Sequence, residues 1–528
     1  MSTEALTQTS EQAAPSDAGE DLTGRDRMVR NVLTSWAAYL VFVVAGFIMP
    51  RMIDRTLGQQ SLGVWDFGWS LISYFGLVSA GVMTAVSRYV ARYRALNDIR
   101  MLCTTVSTGL AMYLVSGTLV LGLTAVAVGL LPPLFGARLD DQVDEARWVV
   151  LLLGISLAVQ IVFSVFNGVL TGCHRWSVHN AISASSYALV VVAMIVSLLA
   201  GSGLCGLAAM TLLGEVVAAV ARFVAAHRVC PGMRLSWRMV RLGHAKELLW
   251  FGGKSLLTAV GGILLYKTNN LIALLYLGPA ALALYSRPMS LVSHMGSIVS
   301  KFAHVLSPTA SALQSAGDLE SLRRIWVRAG MYSLSISLPM VLVAVLAGGD
   351  ILELWMGAAY RNDLLIAVLA AGHLAAQYQG PTLLVLMGMG LHGFPAVATI
   401  VAAVCSIVMA LVFVGPCGLG LLGLALAVTI PLTLVNTLAI PLYACRVLRT
   451  PYMEYLCRTV PRPLLACLPL AASLVAARCL FPLSHLAAPT LGLCCGGAVS
   501  VVVSWKYVLN ESVRHTVLHL VRRSLAAR

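Results

Sequence analysis

Charged residues are scarce in this chain. Asp, Glu, Lys and Arg make up 11% of its 528 residues, apolar residues make up 59%, and the mean hydropathy is +0.85. Soluble globular proteins carry about 25% charged residues. Residues 364–445 contain no Asp, Glu, Lys or Arg at all. These values exclude an ordinary soluble fold and predict an integral membrane protein.

Motifs for catalysis, metals and nucleotides are also missing. The 12 cysteines are scattered and form no C-x-x-C or Cys/His ligand spacing. No glycine-rich nucleotide loop is present, so we expect no ATP hydrolysis. A membrane-bound polymerase or ligase would need a sizeable extramembrane domain, and the loops between apolar runs are short. We therefore expect neither an enzyme nor a resident cofactor.

The apolar runs predict an all-α polytopic membrane protein. A helix needs about 20 residues to cross the hydrocarbon core, and most of the runs reach that length. Strands of a membrane barrel would be about 10 residues of alternating polarity, a pattern that is absent. The fourteen predicted spans are 32–50, 62–87, 103–131, 148–170, 178–200, 204–225, 248–276, 280–306, 329–348, 364–387, 394–414, 418–445, 463–480 and 488–508.

The distribution of cations predicts the orientation. Of the 36 Lys and Arg residues, 27 fall in the loops or at the span ends of one side and six on the other side, while Lys254, Lys267 and Arg287 lie deeper within spans. Because cytoplasmic loops carry the excess of Lys and Arg, both termini should be cytoplasmic. The net charge of +14 is explained by these loops, so nucleic acid is not an expected partner.

An internal repeat predicts two lobes. Residues 57–71 align with residues 277–291 at an offset of 220, with matches at Leu57, Gly58, Leu62, Ser70 and Leu71. Six spans separate the copies, so the expected lobes share one orientation and are related by a pseudo-twofold along the membrane normal, with the substrate site between them. The predicted units are a disordered cytoplasmic tail (1–30), an N-terminal lobe (31–225), a basic cytoplasmic linker (226–247), a C-terminal lobe (248–445), two extra helices (446–508) and a basic cytoplasmic tail (509–528).

A family resemblance follows from two stretches. The segment "MPRMIDRTLGQQSLGVWDFGWSLISYFGLVSAG" and the later "LLYLGPAALALYS" resemble the polysaccharide transporter branch of the MOP exporter superfamily, which includes O-antigen flippases and is related to lipid II flippases and MATE transporters. The resemblance implies a V-shaped transporter of the bacterial cytoplasmic (inner) membrane. It would move an undecaprenyl-diphosphate-linked oligosaccharide from the inner to the outer leaflet by alternating access. Implied partners are the lipid-linked glycan, membrane lipids and other polysaccharide-assembly proteins.

Two cations within the spans are candidate substrate ligands. Lys267 lies ten residues before Leu277 at the apex of the predicted turn, and Arg287 lies ten residues after it. At about 1.5 Å per residue, both lie near the middle of a ~30 Å core. A Lys or Arg there costs about 2.5–3.5 kcal/mol, which favours an anion-binding role over chance. The amides of Asn269 and Asn270 and the rings of Tyr266 and Tyr285 could contact diphosphate and sugar.

Further candidates are weaker. Lys254 and Arg88, near inner helix ends, could receive the diphosphate first, or could simply snorkel to the membrane surface. Asp66 and Glu215 lie within spans and could couple transport to H⁺ or Na⁺. Asp66 could instead pair with Arg287 across the lobes.

A second function shares the expected fold. A MATE-type antiporter that expels cationic drugs prefers an acidic cavity, typically with an acid in the first span. Here the first span is uncharged and the second-lobe hairpin is cationic. The residues therefore favour an anionic substrate.

The orientation can be tested by cysteine labelling. In a background without the native cysteines, Gln142→Cys should react with an impermeant thiol reagent in intact cells, because residue 142 lies in the predicted outer turn. Arg238→Cys, in the predicted inner linker, is the control and should be protected. Labelling of the control with protection of residue 142 would reverse the topology.

Overall fold

The computed structural model describes residues 25–303, 306–480 and 487–508, together with residues 511 and 514. Side chains are described from residue 34 onward, except at 251, 254, 255, 258, 302 and 487–489. Within these ranges the regular structure is entirely helical, without strands. Most of the predicted tails, residues 1–24 and 515–528, lie outside the described residues.

The chain forms nineteen described α-helices: α1 (Arg25–Leu57), α2 (Gln59–Phe75), α3 (Val82–Ala95), α4 (Ile99–Leu139), α5 (Val143–Gly172), α6 (Trp176–Leu199), α7 (Gly203–Val229), α8 (Leu242–Leu277), α9 (Pro279–Ala303), α10 (Leu306–Ser315), α11 (Leu319–Met356), α12 (Asp363–Tyr378), α13 (Gly380–Gly388), α14 (Gly393–Val414), α15 (Gly420–Leu434), α16 (Ile440–Val447), α17 (Tyr452–Thr459), α18 (Pro461–Leu480) and α19 (Ala487–Tyr507). We refer to α1–α7 as the first half and to α8–α16 as the second half.

The described helices make this a multi-pass membrane protein. By length and hydropathy, ten described helical runs could cross a membrane, or eleven if the bent pair α2–α3 counts as one. One of the ten, residues 99–172, contains both α4 and α5. The α9 helix is not among the ten, although it coincides with a predicted span. The count of fourteen spans therefore stays a prediction.

Two boundaries differ from the sequence-based expectation. The first helix begins at Arg25, five residues before the end of the predicted tail. Arg and Met are good helix formers, so a polar start does not prevent helix formation. The second span is interrupted by a 3₁₀ turn at Gly76–Ser79 and bends by 41° before α3. Gly81, at φ +87°, enters α3 in a conformation that favours glycine.

The predicted repeat is visible in the turns. Gly58 has φ +88° and ψ 170°, and Gly278, 220 residues later, has φ +87° and ψ 176°. Few residues other than glycine adopt this backbone conformation. Each glycine joins two long helices, α1 to α2 and α8 to α9.

A second repeated feature was missed in the sequence. The Asp98 carboxylate accepts a hydrogen bond from the Met101 N–H at 2.9 Å and caps α4. Asp318, again 220 residues later, accepts one from the Ser321 N–H at 2.9 Å and caps α11. Hydrogen bonds from Ser321 lower the pKa of the Asp318 carboxyl. Helix caps of this kind contribute about 1 kcal/mol each. The axis that would relate the two halves stays a prediction.

The two halves are sealed together at the end that carries Gly58 and Gly278, which we call the glycine-turn end. The Trp355 indole N–H donates to the Phe47 carbonyl at 2.7 Å, and the Tyr360 hydroxyl donates to the Asp54 carboxylate at 2.5 Å. Arg51 donates to the carbonyls of Leu354 and Trp355. These bonds join α1 to the end of α11 and the turn that follows it.

A glycine permits the closest approach at this end. A Cβ on Gly63 would lie 1.9 Å from the Pro279 carbonyl oxygen, so α2 and the start of α9 meet backbone to backbone. Buried apolar side chains from both halves surround the contact, including Ile53, Leu62 and Leu282. The contact between the halves at this end therefore depends on glycine at position 63, which has no side chain, as well as on hydrogen bonds.

Gly63→Ala should destabilise the protein. The added methyl group forces α2 away from Pro279, and overpacking of this kind costs about 1–3 kcal/mol. The measurement is thermal unfolding of the purified protein in detergent. Gly76→Ala is the matched control, because a Cβ there meets nothing within 4 Å. Equal melting temperatures for the two variants would contradict the close packing.

Candidate functional site

A cavity of about 760 Å³ lies between the halves. It is lined by α2 of the first half and by α8, α9 and α12 of the second. Its wall follows α9 from Ser286 to Lys301, away from the glycine-turn end, and the side chains of Ser300 and Lys301 are exposed. The volume lies in the range of ligand-binding pockets, about 300–1,000 Å³. We call this the central cavity.

A buried ion pair crosses the central cavity. Arg287 on α9 donates to the carboxylate of Asp66 on α2. The Arg287 side chain is 5% exposed and that of Asp66 is 15% exposed. Both partners are thus largely removed from water, so each depends on the other for compensation. Two roles were predicted for Asp66: ion coupling and pairing with Arg287 across the halves. The geometry favours the pairing.

The central cavity carries an excess of positive charge. Its charged lining residues are Asp66, Lys267, Arg287 and Lys301, which is three cations against one acid. Lys267 makes no hydrogen bond or ion pair within 4 Å of another described residue, although the Asp66 carboxylate is near enough to attract it, while Lys301 lies over the Tyr39 ring at 5.4 Å. With Arg287 neutralised by Asp66, two cations remain to attract an anion. Lys267 and Arg287 both line this cavity, and Arg287 is paired with Asp66.

Polar side chains along α9 extend the site. Serines recur every three or four residues on the face that lines the cavity: Ser286, Ser290, Ser293, Ser297 and Ser300. This spacing places them on one face of a helix. This row of serines was not predicted from the sequence, although the recurrence of serine every three or four residues is visible there. Lys301 was counted among the cytoplasmic cations and was likewise not predicted to line the site.

Several buried polar atoms at the cavity have no partner among the described residues. They are both side-chain polar atoms of Gln377, the Ser286 hydroxyl, the His373 Nε2 and the Arg287 Nε. All four residues line the central cavity. An unpaired buried polar group costs about 1–3 kcal/mol, so a concentration of them is typical of a place where water or a polar ligand binds.

The predicted neighbours of the two cations divide into two groups. Tyr266 and Asn270 line the cavity, and the Asn270 amide donates to Ser70 on α2 at 2.8 Å. Asn269 is fully buried and donates instead to Ser406 at 3.2 Å. Tyr285 is 1% exposed and packs in the hydrophobic core.

Neither Asn269 nor Tyr285 is among the residues that line the central cavity, so their predicted contact with substrate is corrected. The reason is helical geometry, since each residue turns by about 100°. Lys267 and Asn270 share a face that Asn269 cannot join. Tyr285 likewise lies off the face that carries Arg287 and Ser290.

The remaining candidates lie elsewhere. Arg88 is exposed on α3 and is not part of the cavity lining. Lys254 belongs to α8, but its side chain lies outside the described residues. Glu215 pairs with Arg222 inside the first half, and Arg222, which was counted among the cytoplasmic cations, is a buried helical residue. In the described part of the chain no group of three His, Cys, Asp or Glu residues could hold a metal ion.

Comparisons with known proteins agree with this geometry. A family model for "Polysaccharide biosynthesis protein" matches residues 103–363. The chain is 24% identical over 435 residues to the uncharacterised membrane protein EpsK of Bacillus subtilis, covering 79% of this chain and 83% of EpsK. It is 20% identical over 335 residues to a proposed O-antigen transporter of Shigella flexneri, covering 63% of this chain and 78% of that protein. The resemblance to polysaccharide transporters of the MOP superfamily is confirmed.

Solved structures show the same fold. An inward-facing MATE transporter of the MOP superfamily superposes with a TM-score of 0.67 at 17% identity, covering 79% of this chain and 98% of that one. The lipid II flippase MurJ in an inward closed conformation also superposes with a TM-score of 0.67, at 13% identity. The match covers 90% of this chain and 98% of that one. At these identities the likeness concerns the fold alone. Transport or flipping is the activity named for these structures and for the Shigella relative, and none of them is named as an enzyme.

Breaking the central ion pair should destabilise the fold. Arg287→Gln leaves Asp66 buried without its partner, which costs about 3–5 kcal/mol. Adding Asp66→Asn should restore most of that loss, because no unpaired charge remains. Denaturant unfolding of the purified proteins measures both effects.

The control for this experiment is Glu320→Gln. This change removes the ion pair between Glu320, whose side chain is 76% exposed, and Arg324, whose side chain is 55% exposed. It should change the free energy of unfolding by about 0–1 kcal/mol. A double variant as unstable as the sum of the two single variants would show that the two residues do not act as a pair.

Proposed function

We propose that this protein moves an undecaprenyl-diphosphate-linked oligosaccharide from the inner to the outer leaflet of the bacterial cytoplasmic membrane. In this proposal the diphosphate binds in the central cavity, and the two halves rock around it in an alternating-access cycle. The Lys301 end faces the cytoplasm and the glycine-turn end faces outward. Both termini are cytoplasmic.

One observation carries the proposal. Lys267 lies about ten residues into the membrane from the glycine turn, lines the central cavity and has no ion-pair partner among the described residues. An unpaired ammonium group at that depth is costly unless an anion or water compensates it. Phosphate oxygens offer strong charge-assisted acceptors. Lys301, farther along the same cavity, provides a second cation on the path from the cytoplasmic leaflet.

The Asp66–Arg287 pair suggests how binding drives the conformational cycle. The pair joins α2 of the first half to α9 of the second. A diphosphate in the cavity competes with Asp66 for Arg287, so it interacts differently with the joined and the separated halves. Such a differential interaction is what a ligand needs to shift a conformational equilibrium. Coupling to H⁺ or Na⁺ is not required for this step.

A MATE-type exporter of cationic drugs is the alternative function. Three cations against one acid in the central cavity would repel such a substrate. The single cavity acid is already paired with Arg287. The charge of the cavity therefore favours the lipid-linked anion, with other polysaccharide-assembly proteins as candidate partners.

Lys267→Ala should abolish glycan export while the protein still reaches the membrane. Removing an unpaired cation leaves no buried charge behind, so folding should be preserved. Lys267→Arg keeps the charge with a different shape and should retain partial activity. The assay is surface glycan produced by cells whose own transporter gene has been deleted.

The matched control is Lys246→Ala, on the same helix but exposed and outside the cavity lining. It should export at the normal rate. Normal export by Lys267→Ala at normal protein levels would remove the anion site from the proposal.

A further inference from the structure

A second cavity lies within the first half. Its volume is about 440 Å³, and five helices line it: α1, α2, α5, α6 and α7. Each of three helices contributes polar residues one turn apart: Ser156 and Gln160 on α5, Ser183 and Ser186 on α6, and Thr211 and Glu215 on α7. Residues three or four apart share a helix face, so these polar stripes converge inside the half. We call this the first-half cavity.

The first-half cavity is electrically balanced. Among the residues that the structure describes, its only charged lining residues are Glu215 and Arg222, which pair with each other. The Gln160 amide donates to the Glu215 carboxylate at 3.4 Å, and the Arg222 Nε has no partner among the described residues. The central cavity, with its excess of cations, suits an anion. A balanced pair with spare hydrogen-bonding capacity suits a neutral polar ligand.

Hydroxyl groups dominate the remaining polar lining. Within the described ranges, the side chains of Ser156, Ser183 and Ser186 make no hydrogen bonds to other residues. A serine hydroxyl can donate one hydrogen bond and accept two. Such groups match the alternating donors and acceptors of a sugar. A lipid tail in the same place would leave these hydroxyls without hydrogen-bond partners, at about 1–3 kcal/mol for each one that is buried.

Aromatic rings complete the lining. The rings of Phe42 and Tyr187 lie 4.5 Å apart, and those of Trp65 and Trp69 lie 6.2 Å apart in an edge-to-face arrangement. Aromatic rings offer broad, rigid apolar surfaces, and tyrosine adds a polar tip. The C–H faces of a sugar ring can pack on such surfaces while its hydroxyls reach the serines.

Trp69 connects the two cavities. Its side chain is 42% exposed, and it lines both the central cavity and the first-half cavity. Asp66, one turn earlier on the same helix, lines the central cavity. The two cavities are therefore adjacent, and the Trp69 indole ring lies in the wall between them.

We propose that the first-half cavity binds the sugar attached to the diphosphate, as a neutral saccharide subsite. This inference rests on the proposed function, because it takes the diphosphate to bind in the central cavity. In the proposed substrate the sugar is bonded directly to the diphosphate. The two subsites therefore bind two chemically different parts of one molecule. Cations hold the anion, and hydroxyls, an amide and aromatic rings hold the saccharide.

Binding of defined lipids tests the subsite. The probes are undecaprenyl diphosphate alone and the same lipid carrying one hexose or one N-acetylhexosamine, each titrated against the purified full-length protein. The unmodified protein should bind at least one glycosylated lipid more tightly than the bare lipid. The double variant Ser183→Ala with Ser186→Ala should remove that gain, weakening the glycosylated lipid by about tenfold, as expected for the loss of one or two hydrogen bonds. Binding of the bare lipid should not change.

A blocking variant and its matched control sharpen the result. Ser186→Leu fills the cavity and should also remove the gain. Ser185→Leu changes the neighbouring residue, which is exposed and bonds to the Ala181 carbonyl of its own helix at 2.7 Å, and should bind like the unmodified protein. Melting temperatures verify that each variant is folded.

The outcomes separate the two proposals. If neither sugar improves binding to the unmodified protein, or if the serine variants leave the gain intact or weaken both lipids equally, the saccharide subsite is wrong. Lys267→Ala should weaken both lipids. If it weakens neither while the serine variants remove the gain, the anion site fails and the saccharide subsite stands.

Discussion

The structure depends on the cost of placing charge inside a membrane protein. Asp66 and Arg287 satisfy each other across the central cavity, and Glu215 and Arg222 do so within the first half. Neither pair is easily opened unless another group takes the place of a partner. Lys267 lacks such a partner among the described residues. In the proposed mechanism it is the residue to which the anion of the substrate binds.

The two cavities differ in net charge although they share a wall. The α2 helix presents Asp66 to the central cavity, Trp65 to the first-half cavity and Trp69 to both. At the glycine-turn end, backbone contact at Gly63 and the bonds of Trp355 and Tyr360 close the passage between the halves. A substrate that enters past Lys301 thus meets two chemically distinct surfaces before it meets a closed seam.

Sequence reasoning could predict features that depend on period and composition. The helical class, the turn at Gly278 and the depth of Lys267 follow from apolar run lengths and from the rise of a helix. The exclusion of Asn269 and Tyr285 from the cavity does not, because it depends on the rotation of each helix against its neighbours. The pairing of Arg287 with Asp66 joins residues 221 positions apart. A single sequence offers this pairing as one option among several, and only the packing of the helices selects it.

The recurrence at an offset of 220 separates scaffold from specificity. Turns and caps recur, with Gly58 matching Gly278 and Asp98 matching Asp318. The charged residues of the central cavity do not, since Lys267 falls opposite Phe47, Arg287 opposite Phe67, and Asp66 opposite Ser286. The turns and caps are common to both halves, whereas the charged lining of the central cavity is not. Under the proposed mechanism, substitutions in the cavity would change what is bound without altering the turns and caps that the halves share.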